Sequence, residues 1–302
     1  MKPNCEVLQI QTVLYHNEPN KIIKSIESIL CASKKAIEKG IFRKIILKYG
    51  DGSSIPIFSN EELEDLQDTY KEIAIEYINF GANFGSAKGH NTLAKDCGAD
   101  YIVVMNPDVI MSADTLCELY RPYYENKTCV GMVEARQLPI EHPKDYNIQT
   151  GETSWASTAC TIFPKKVFDE VGGFDSNSFF LYCDDVDFSW RVRLAGYKVI
   201  FQPSAFVFHN KLLSQDAGWQ VTSAEAYYSA EASLFLAYKW SRSDILKNIL
   251  TYFENSNEDY LLKAANKFRI KESAGELPKQ LDHEHKVAEF INNNYGIMRF
   301  SI

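Results

Sequence analysis

The sequence predicts an α/β protein, a mostly parallel mixed sheet flanked by helices with a helical C-terminal extension. Three observations carry this. Short apolar runs alternate with segments of helical periodicity as far as Met105, the pattern of right-handed βαβ units. The run Tyr101–Met105 (YIVVM) is apolar on successive residues, as in a strand buried on both faces. From Ala224 onward the chain is helical in character, with Tyr227, Tyr228, Leu234, Phe235, Tyr238 and Trp240 as apolar content.

The elements follow in order. Val7–Leu14 reads as the first strand. Asn17 is placed to cap a helix with Pro19 in its first turn, and Ile22, Ile23, Ile26, Ile29 and Leu30 form its apolar face. Lys44–Lys48 is a second strand, stopped by the turn Gly50-Asp51-Gly52-Ser53. Residues 60–75 read as helix and Ala74–Ile78 as strand. Ser86–Cys97 is the next helix, with Gly98 just past its end. Beyond about residue 130 the pattern loosens, and Thr158–Phe163 and Val199–Phe208 are expected to add strands. The expected division is a domain over residues 1–211 and a helical extension over 212–302.

At 302 residues the chain can bury a full core. A formal charge of −8 disfavours nucleic acid, whose phosphates would be repelled. No apolar run approaches the ~20 residues needed to cross a bilayer. The start, MKPNCEVLQIQTVLYHNE, lacks a long apolar core and a small-residue cleavage site. Seven scattered cysteines without a CxxC pair suit a reducing compartment. The expectation is a soluble protein of the cytoplasm or of the inner face of the plasma membrane.

Four segments can carry chemistry. Strand Tyr101–Met105 runs into Asn106-Pro107-Asp108, and ligands of open α/β sheets sit beyond the carboxyl ends of the strands. Asp108 could ligate Mg²⁺ or Mn²⁺, or simply cap the helix starting near Ser112. The loop Asn83-Phe84-Gly85-Ser86-Ala87-Lys88-Gly89-His90-Asn91 enters a helix, whose free N–H groups and positive end suit a diphosphate; Lys88 would add a charge, and a plain turn is the alternative. Asp184, Asp185 and Asp187 open a short helix ending at Gly196. Acids in a first turn complement the helix dipole, and Asp187 can pair with Arg191 at i+4. Three within four residues exceed that need, and they follow the apolar Phe179-Phe180-Leu181-Tyr182, where desolvation raises a carboxyl towards a useful base. His209 closes the apolar segment Ala205–Phe208 and reads as ligand or as core residue. His90, His142, His283 and His285 have no comparable context.

Together these segments resemble the family-two inverting glycosyltransferases of GT-A fold, most closely their rhamnosyltransferase-type members. The match is carried, in the family's order, by YHNEP after the first strand, the loop NFGSAKGHN, the strand end MNPDV, and GGFDSNSFFLYCDDVDFSWRVRLAGYKVIFQPSAFVFH from Gly172 to His209. It covers roughly residues 5 to 240. The resemblance implies a nucleotide-sugar half over about 1–110 and an acceptor half over about 111–211. It implies donor contacts from Tyr15, Asn17, Asp51, Asn83, Gly85, Lys88, Asn91 and Asn106. Asp108 becomes the metal-binding acid, Asp185 the base with Asp184 in support, and His209 a group near the metal or diphosphate. Two departures stand out: Asn106 where many members have Asp, and Gly50 where many have the acid that reads the nucleoside base.

The implied reaction moves a sugar from a dTDP- or UDP-linked donor to a hydroxyl of a saccharide or lipid-linked glycan, with inversion and with Mn²⁺ or Mg²⁺, in bacterial surface polysaccharide synthesis. The helical extension would shape the acceptor side, with Trp219, Tyr227 and Tyr228 as stacking surfaces or as core. Self-association and peripheral membrane contact stay open. The alternatives are a nucleotidyltransferase, for which LYHNEPNK lacks a basic Gly-rich loop, and a nucleotide-sugar-binding module without catalysis.

Overall fold

The computed structural model describes residues 6–125, 129–139, 145–209 and 221–296. Among these, eight strands form one sheet in the order β3-β2-β1-β4-β7-β6-β8-β5. Strand β1 (Val7–Leu14) lies between β2 (Lys44–Asp51) and β4 (Tyr101–Met105), and β3 (Ala74–Asn79) flanks β2; all four run parallel. Beyond β4 the sheet is mixed. β7 (Cys160–Pro164) is antiparallel to β4 and to β6 (Val130–Leu138), while β8 (Lys198–His209) runs parallel to β6 and pairs antiparallel with the short β5 (Val109–Met111). The mostly parallel α/β expectation therefore holds, with antiparallel strands confined to the second half.

Alternation along β1 sorts its two faces. Leu8, Ile10 and Leu14 join the core beneath α1 (Pro19–Glu38) and α4 (Thr115–Glu125), with Ile22, Ile26, Ile29, Leu116 and Leu119. Gln9 and Gln11 point to the other face, where α3 (Gly85–Ala94) receives them: Gln9 donates to the Leu93 carbonyl at 3.0 Å and Gln11 to that of His90 at 3.1 Å. A second core on that face joins Ile102, Val104, Phe163, Phe174, Phe188 and Val192, beneath α5 (Lys165–Glu170) and α6 (Asp184–Leu194). Residues of α6 are buried nearly all round. Phe188 and Val192 meet the sheet-side core, while Val186 and Trp190 join a third core with Leu234, Phe235, Trp240, Phe253 and Phe268. That core belongs to α7 (Ser223–Lys239), α8 (Ser243–Glu254) and α9 (Asp259–Ala274).

Several boundaries differ from expectation. Glu18, not Asn17, is the N-cap of α1; the Asn17 side chain instead accepts from the Tyr15 N–H at 2.8 Å. The helix expected over 60–75 is α2 (Asn60–Thr69), opened by a Ser59–Glu62 capping box and stopped at Tyr70. Helix α3 ends at Ala94 with Lys95 as its cap, so Gly98 does not terminate it. Gly50 and Asp51 lie within β2, paired to Ile78 and Asn79. Strand β6 was not anticipated: Glu134, Arg136 and Gln137 break its apolar run, although Glu134 and Gln137 are buried.

Candidate active site

A cleft of about 790 Å³ opens beyond the carboxyl ends of β1 and β4, where ligands of such sheets bind. Nine of the expected residues line it: Tyr15, Asn17, Asn83, Gly85, Asn106, Asp108, Asp184, Asp185 and His209.

Gly85 opens α3 with φ +67°, and a Cβ there would stand 2.3 Å from the Phe180 carbonyl oxygen, so only glycine fits. The loop is pinned by Asn83, whose side chain accepts from the Gly85 N–H at 3.0 Å, and by the Ser86 N–H, which donates to the Phe180 carbonyl at 3.0 Å.

Opposite this loop, the chain enters α6 through Tyr182 and Cys183, both left-handed at φ +66° and +55°. Such conformations are costly for residues with a Cβ and occur where surrounding contacts enforce them. They deliver Asp184 and Asp185, both buried, to the cleft. Asp184 Oδ2 is buried with no hydrogen-bond partner among the described residues, and Ser86 lines the same cleft. Burial, then repulsion from Asp185, pushes Asp184 up to about 7. Asp185 Oδ1 accepts from the Val186 N–H at 2.9 Å. Asp187 is fully buried and faces away from the cleft lining. It takes Arg191 Nε at 2.8 Å, as its spacing suggested, and also Lys239 Nζ at 2.7 Å and Trp240 Nε1 at 3.1 Å from α7 and its cap.

At the end of β4, Asp108 does not cap a helix; the strand β5 intervenes before α4. Its Oδ1 lies 3.3 Å from His209 Nε2, and Asn106 Nδ2 also lies 3.3 Å from that nitrogen. His209 Nδ1 stands 2.8 Å from Gln137 Oε1. An amide oxygen there orients Nδ1–H outward, and Nε2 faces the Asp108 carboxylate and the Asn106 amide. Asp108 Oδ1 and His209 Nε2, 3.3 Å apart, are close enough to share a cation, and the outward bond to Gln137 is the usual support of a ligating imidazole. The donor set thus fits Mn²⁺ or Mg²⁺ held by few protein groups. Among the described residues no group of three or more His, Cys, Asp or Glu side chains could hold a metal.

Three expected donor residues are not among those lining the cleft. Asp51 is buried and accepts from the Ser53 and Ile57 N–H groups, each at 2.8 Å, and from the Tyr77 hydroxyl. Burial favours its protonated form, but these bonds outweigh it and hold the carboxyl below the usual range. Lys88 lies over the Phe84 ring at 4.1 Å. Asn91 exchanges bonds of 2.8 and 2.9 Å with the Phe174 carbonyl and N–H. Asp51 and Asn91 thus tie neighbouring loops in place. At Gly50 the place of a side chain is taken by Phe80, whose ring would lie 2.1 Å from a Cβ and which stacks on Phe84 at 4.9 Å.

The cleft also gathers residues that sequence reasoning passed over. Gln137 was hidden with β6. Ser157 and Thr158 precede β7, and Phe180, Tyr182, Thr222 and Glu225 form the wall nearest the C-terminal helices. The Tyr182 hydroxyl donates to Glu225 at 2.9 Å. His90 also lines the cleft; burial drives its imidazole down to about 3, so it is neutral beside Gln11. Of the aromatic residues in the tail, Tyr227 packs against the C-terminal core and Tyr228 lies 4.7 Å from the Phe180 ring, while Trp219 is outside the described residues.

A parallel-to-mixed sheet with an acidic helix and an Asp–His pair over one cleft defines a GT-A glycosyltransferase framework. The profile of glycosyl transferase family 2 matches residues 12–187, more than half of the chain, and the chain belongs to that family. It is 34% identical over 87 residues to the N-acetylglucosaminyl-diphospho-decaprenol L-rhamnosyltransferase of Mycobacterium tuberculosis, covering 29% of this chain and 27% of that protein. It is 25% identical over 170 residues to the rhamnosyltransferase WbbL of Escherichia coli K12, covering 45% and 64%. The chain thus spans less than two thirds of the length of either relative. The fold is shared with the mannosyltransferase PcManGT from Pyrobaculum calidifontis, solved in complex with GDP-Man and Mn²⁺, at a TM-score of 0.55 and 13% identity over 89% of this chain and 81% of that one. Among the described residues no helix is long and apolar enough to cross a membrane.

Proposed function

We propose that this protein is an inverting glycosyltransferase. It transfers a sugar, rhamnose or a similar hexose, from a dTDP- or UDP-linked donor to a hydroxyl of a saccharide or lipid-linked glycan in surface polysaccharide synthesis. The observation that supports this best is the joining of Asp185, Asp108 and His209 in one cleft beside the Gly85 loop. The two rhamnosyltransferase relatives support the sugar class.

In this reading the N-terminus of α3, with Asn83 and Gly85, receives the diphosphate, and Tyr15 and Asn17 border the nucleoside. Asp185 takes the proton from the acceptor hydroxyl as that oxygen attacks the anomeric carbon. The bond from that carbon to the diphosphate breaks, the nucleoside diphosphate departs with the electron pair, and a single displacement inverts the centre. Asp108 and His209 would hold a divalent cation, which when bound supplies neutralising charge for the leaving diphosphate.

Asp185→Asn is expected to abolish transfer while leaving donor affinity within about threefold of wild type. Turnover like that of wild type in the variant would reject Asp185 as base. In a screen of nucleoside-diphosphate sugars with Mn²⁺, failure of any acceptor to stimulate release of nucleoside diphosphate would leave a binding module.

A further inference from the structure

His90 lines the cleft, is 4% exposed, and stands at the end of a buried chain of hydrogen bonds between β1 and α3. The Cys97 thiol donates to Gln9 Oε1 at 3.1 Å, Gln9 Nε2 donates to Gln11 Oε1 at 2.9 Å, and Gln11 Nε2 lies 3.2 Å from His90 Nδ1. Backbone carbonyls, which only accept, fix the orientation of both amides. Gln9 Nε2 also donates to the Leu93 carbonyl at 3.0 Å, and Gln11 Nε2 to that of His90 at 3.1 Å. Nδ1 therefore accepts the last link, and the proton of the neutral ring sits on Nε2. That nitrogen has no hydrogen-bond partner among the described residues. All the links point the same way, so each strengthens the donor that follows it.

We infer that His90 is a donor-binding residue whose Nε2–H bonds to an uncharged oxygen of the transferred sugar, with the Cys97–Gln9–Gln11 chain fixing that proton in place. The inference rests on the glycosyl-transfer reading of this cleft. A diphosphate would be better met by a cation, and burial keeps this ring neutral. His90 also lies five residues beyond Gly85, about 7.5 Å along the helix from the free N–H groups of its first turn. A fixed neutral donor suits a hydroxyl, and a buried site built to bond a hydroxyl discriminates against sugars that lack it.

Titration calorimetry with Mn²⁺ tests this, using dTDP-rhamnose or UDP-glucose, whichever wild type binds, against the matching nucleoside diphosphate. His90→Phe keeps a ring and removes both nitrogens. It should weaken the sugar conjugate about tenfold, the loss of one hydrogen bond, and leave the diphosphate within about twofold. His90→Gln keeps an N–H near the place of Nε2 and should bind the conjugate within about threefold of wild type. An equal loss for both ligands in His90→Phe, or no loss for either, would overturn the inference. Nitrogen-15 spectra of wild type, assigned from the His90 backbone, give a second readout that needs no variant. They should show the proton on Nε2 between about pH 5 and 8. The Nε2 signal should move with the conjugate and stay with the diphosphate alone. A proton on Nδ1, or equal movement with both, would also overturn the inference. If wild type binds neither conjugate, the glycosyl-transfer reading itself fails and takes this inference with it; a conjugate bound equally well by His90→Phe rejects the inference alone.

Discussion

Replacing Lys239 by methionine tests the junction between α6 and the C-terminal helices. The Lys239 ammonium, 7% exposed, stands 2.7 Å from Asp187 Oδ1 and 2.7 Å from Asp175 Oδ2. Methionine keeps the apolar stem and removes the charge from between two acids. Breaking a buried pair from one side costs about 3–5 kcal/mol, because the partner charge stays buried. Asp187 retains Arg191 and Trp240, and Asp175 retains the N–H groups of Asn177 and Ser178, so the lower end applies. At about 2.1 cal/mol/K per residue over 302 residues the unfolding entropy is about 0.6 kcal/mol/K, and about 3 kcal/mol then lowers Tm by about 5 °C. Differential scanning calorimetry reads this directly. Lys263→Met is the control: its partner Asp259 is 3.7 Å away and both side chains are exposed, so Tm should move by less than about 1 °C. Acid titration adds a second readout. Burial opposes ionisation of Asp175, but Lys239 and Ser178 hold its carboxyl below the usual range. Its stabilisation is present above the unfolded carboxyl value and lost as pH falls through the folded one. In Lys239→Met that loss should begin at higher pH. A Tm within about 1 °C of wild type would refute the assignment of Lys239 as the tie between the two parts.

Asp184 has the opposite sign. It binds its proton more tightly in the folded state, so its contribution is complete below about pH 4 and is lost as pH rises towards 7. Asp184→Asn should flatten that slope in urea titrations and exceed wild type in stability at pH 8 by more than about 1 kcal/mol. A slope unchanged from wild type would argue against a buried proton there. Gly50→Ala should destabilise by about 1 kcal/mol through its clash with Phe80, and the same change in a Phe80→Ala background should cost much less; equal costs would separate the two residues. Mn²⁺ should raise the Tm of wild type in the presence of UDP but leave Asp108→Asn unshifted, and an equal rise in the variant would place the cation elsewhere.

Much of the first half was legible in the sequence because its periodicities are undiluted. Strand β1 runs over the expected Val7–Leu14, and Tyr101–Met105 delivers Asn106 and Asp108 to the cleft as the strand end suggested. The acids of α6 were legible as a group, and Asp187 pairs with Arg191 as its spacing implied. What escaped depended on distant partners. Strand β6 carries Glu134 and Gln137 inside a sheet, so local hydrophobicity could not reveal it, and Gln137 behind His209 was lost with it. The contacts of Asp51, Lys88 and Asn91 with Tyr77, Phe84 and Phe174 were not legible either, because those partners lie in another strand, at a helix cap and in another loop. A motif records which groups are present, not which neighbours they touch.

The double-sided burial of α6 bears on how this protein can be divided. Phe179, Val186 and Trp190 are covered by Leu234, Phe235 and Trp240, and Asp187 draws a cation from α7. A chain cut near residue 211 would bare an indole and several apolar side chains on the helix that carries the site acids. Such a fragment should bind hydrophobic dyes and aggregate. The smallest unit for expression or for grafting onto another scaffold therefore reaches through α9, and of the three terminal helices α7 lends Glu225 to the cleft.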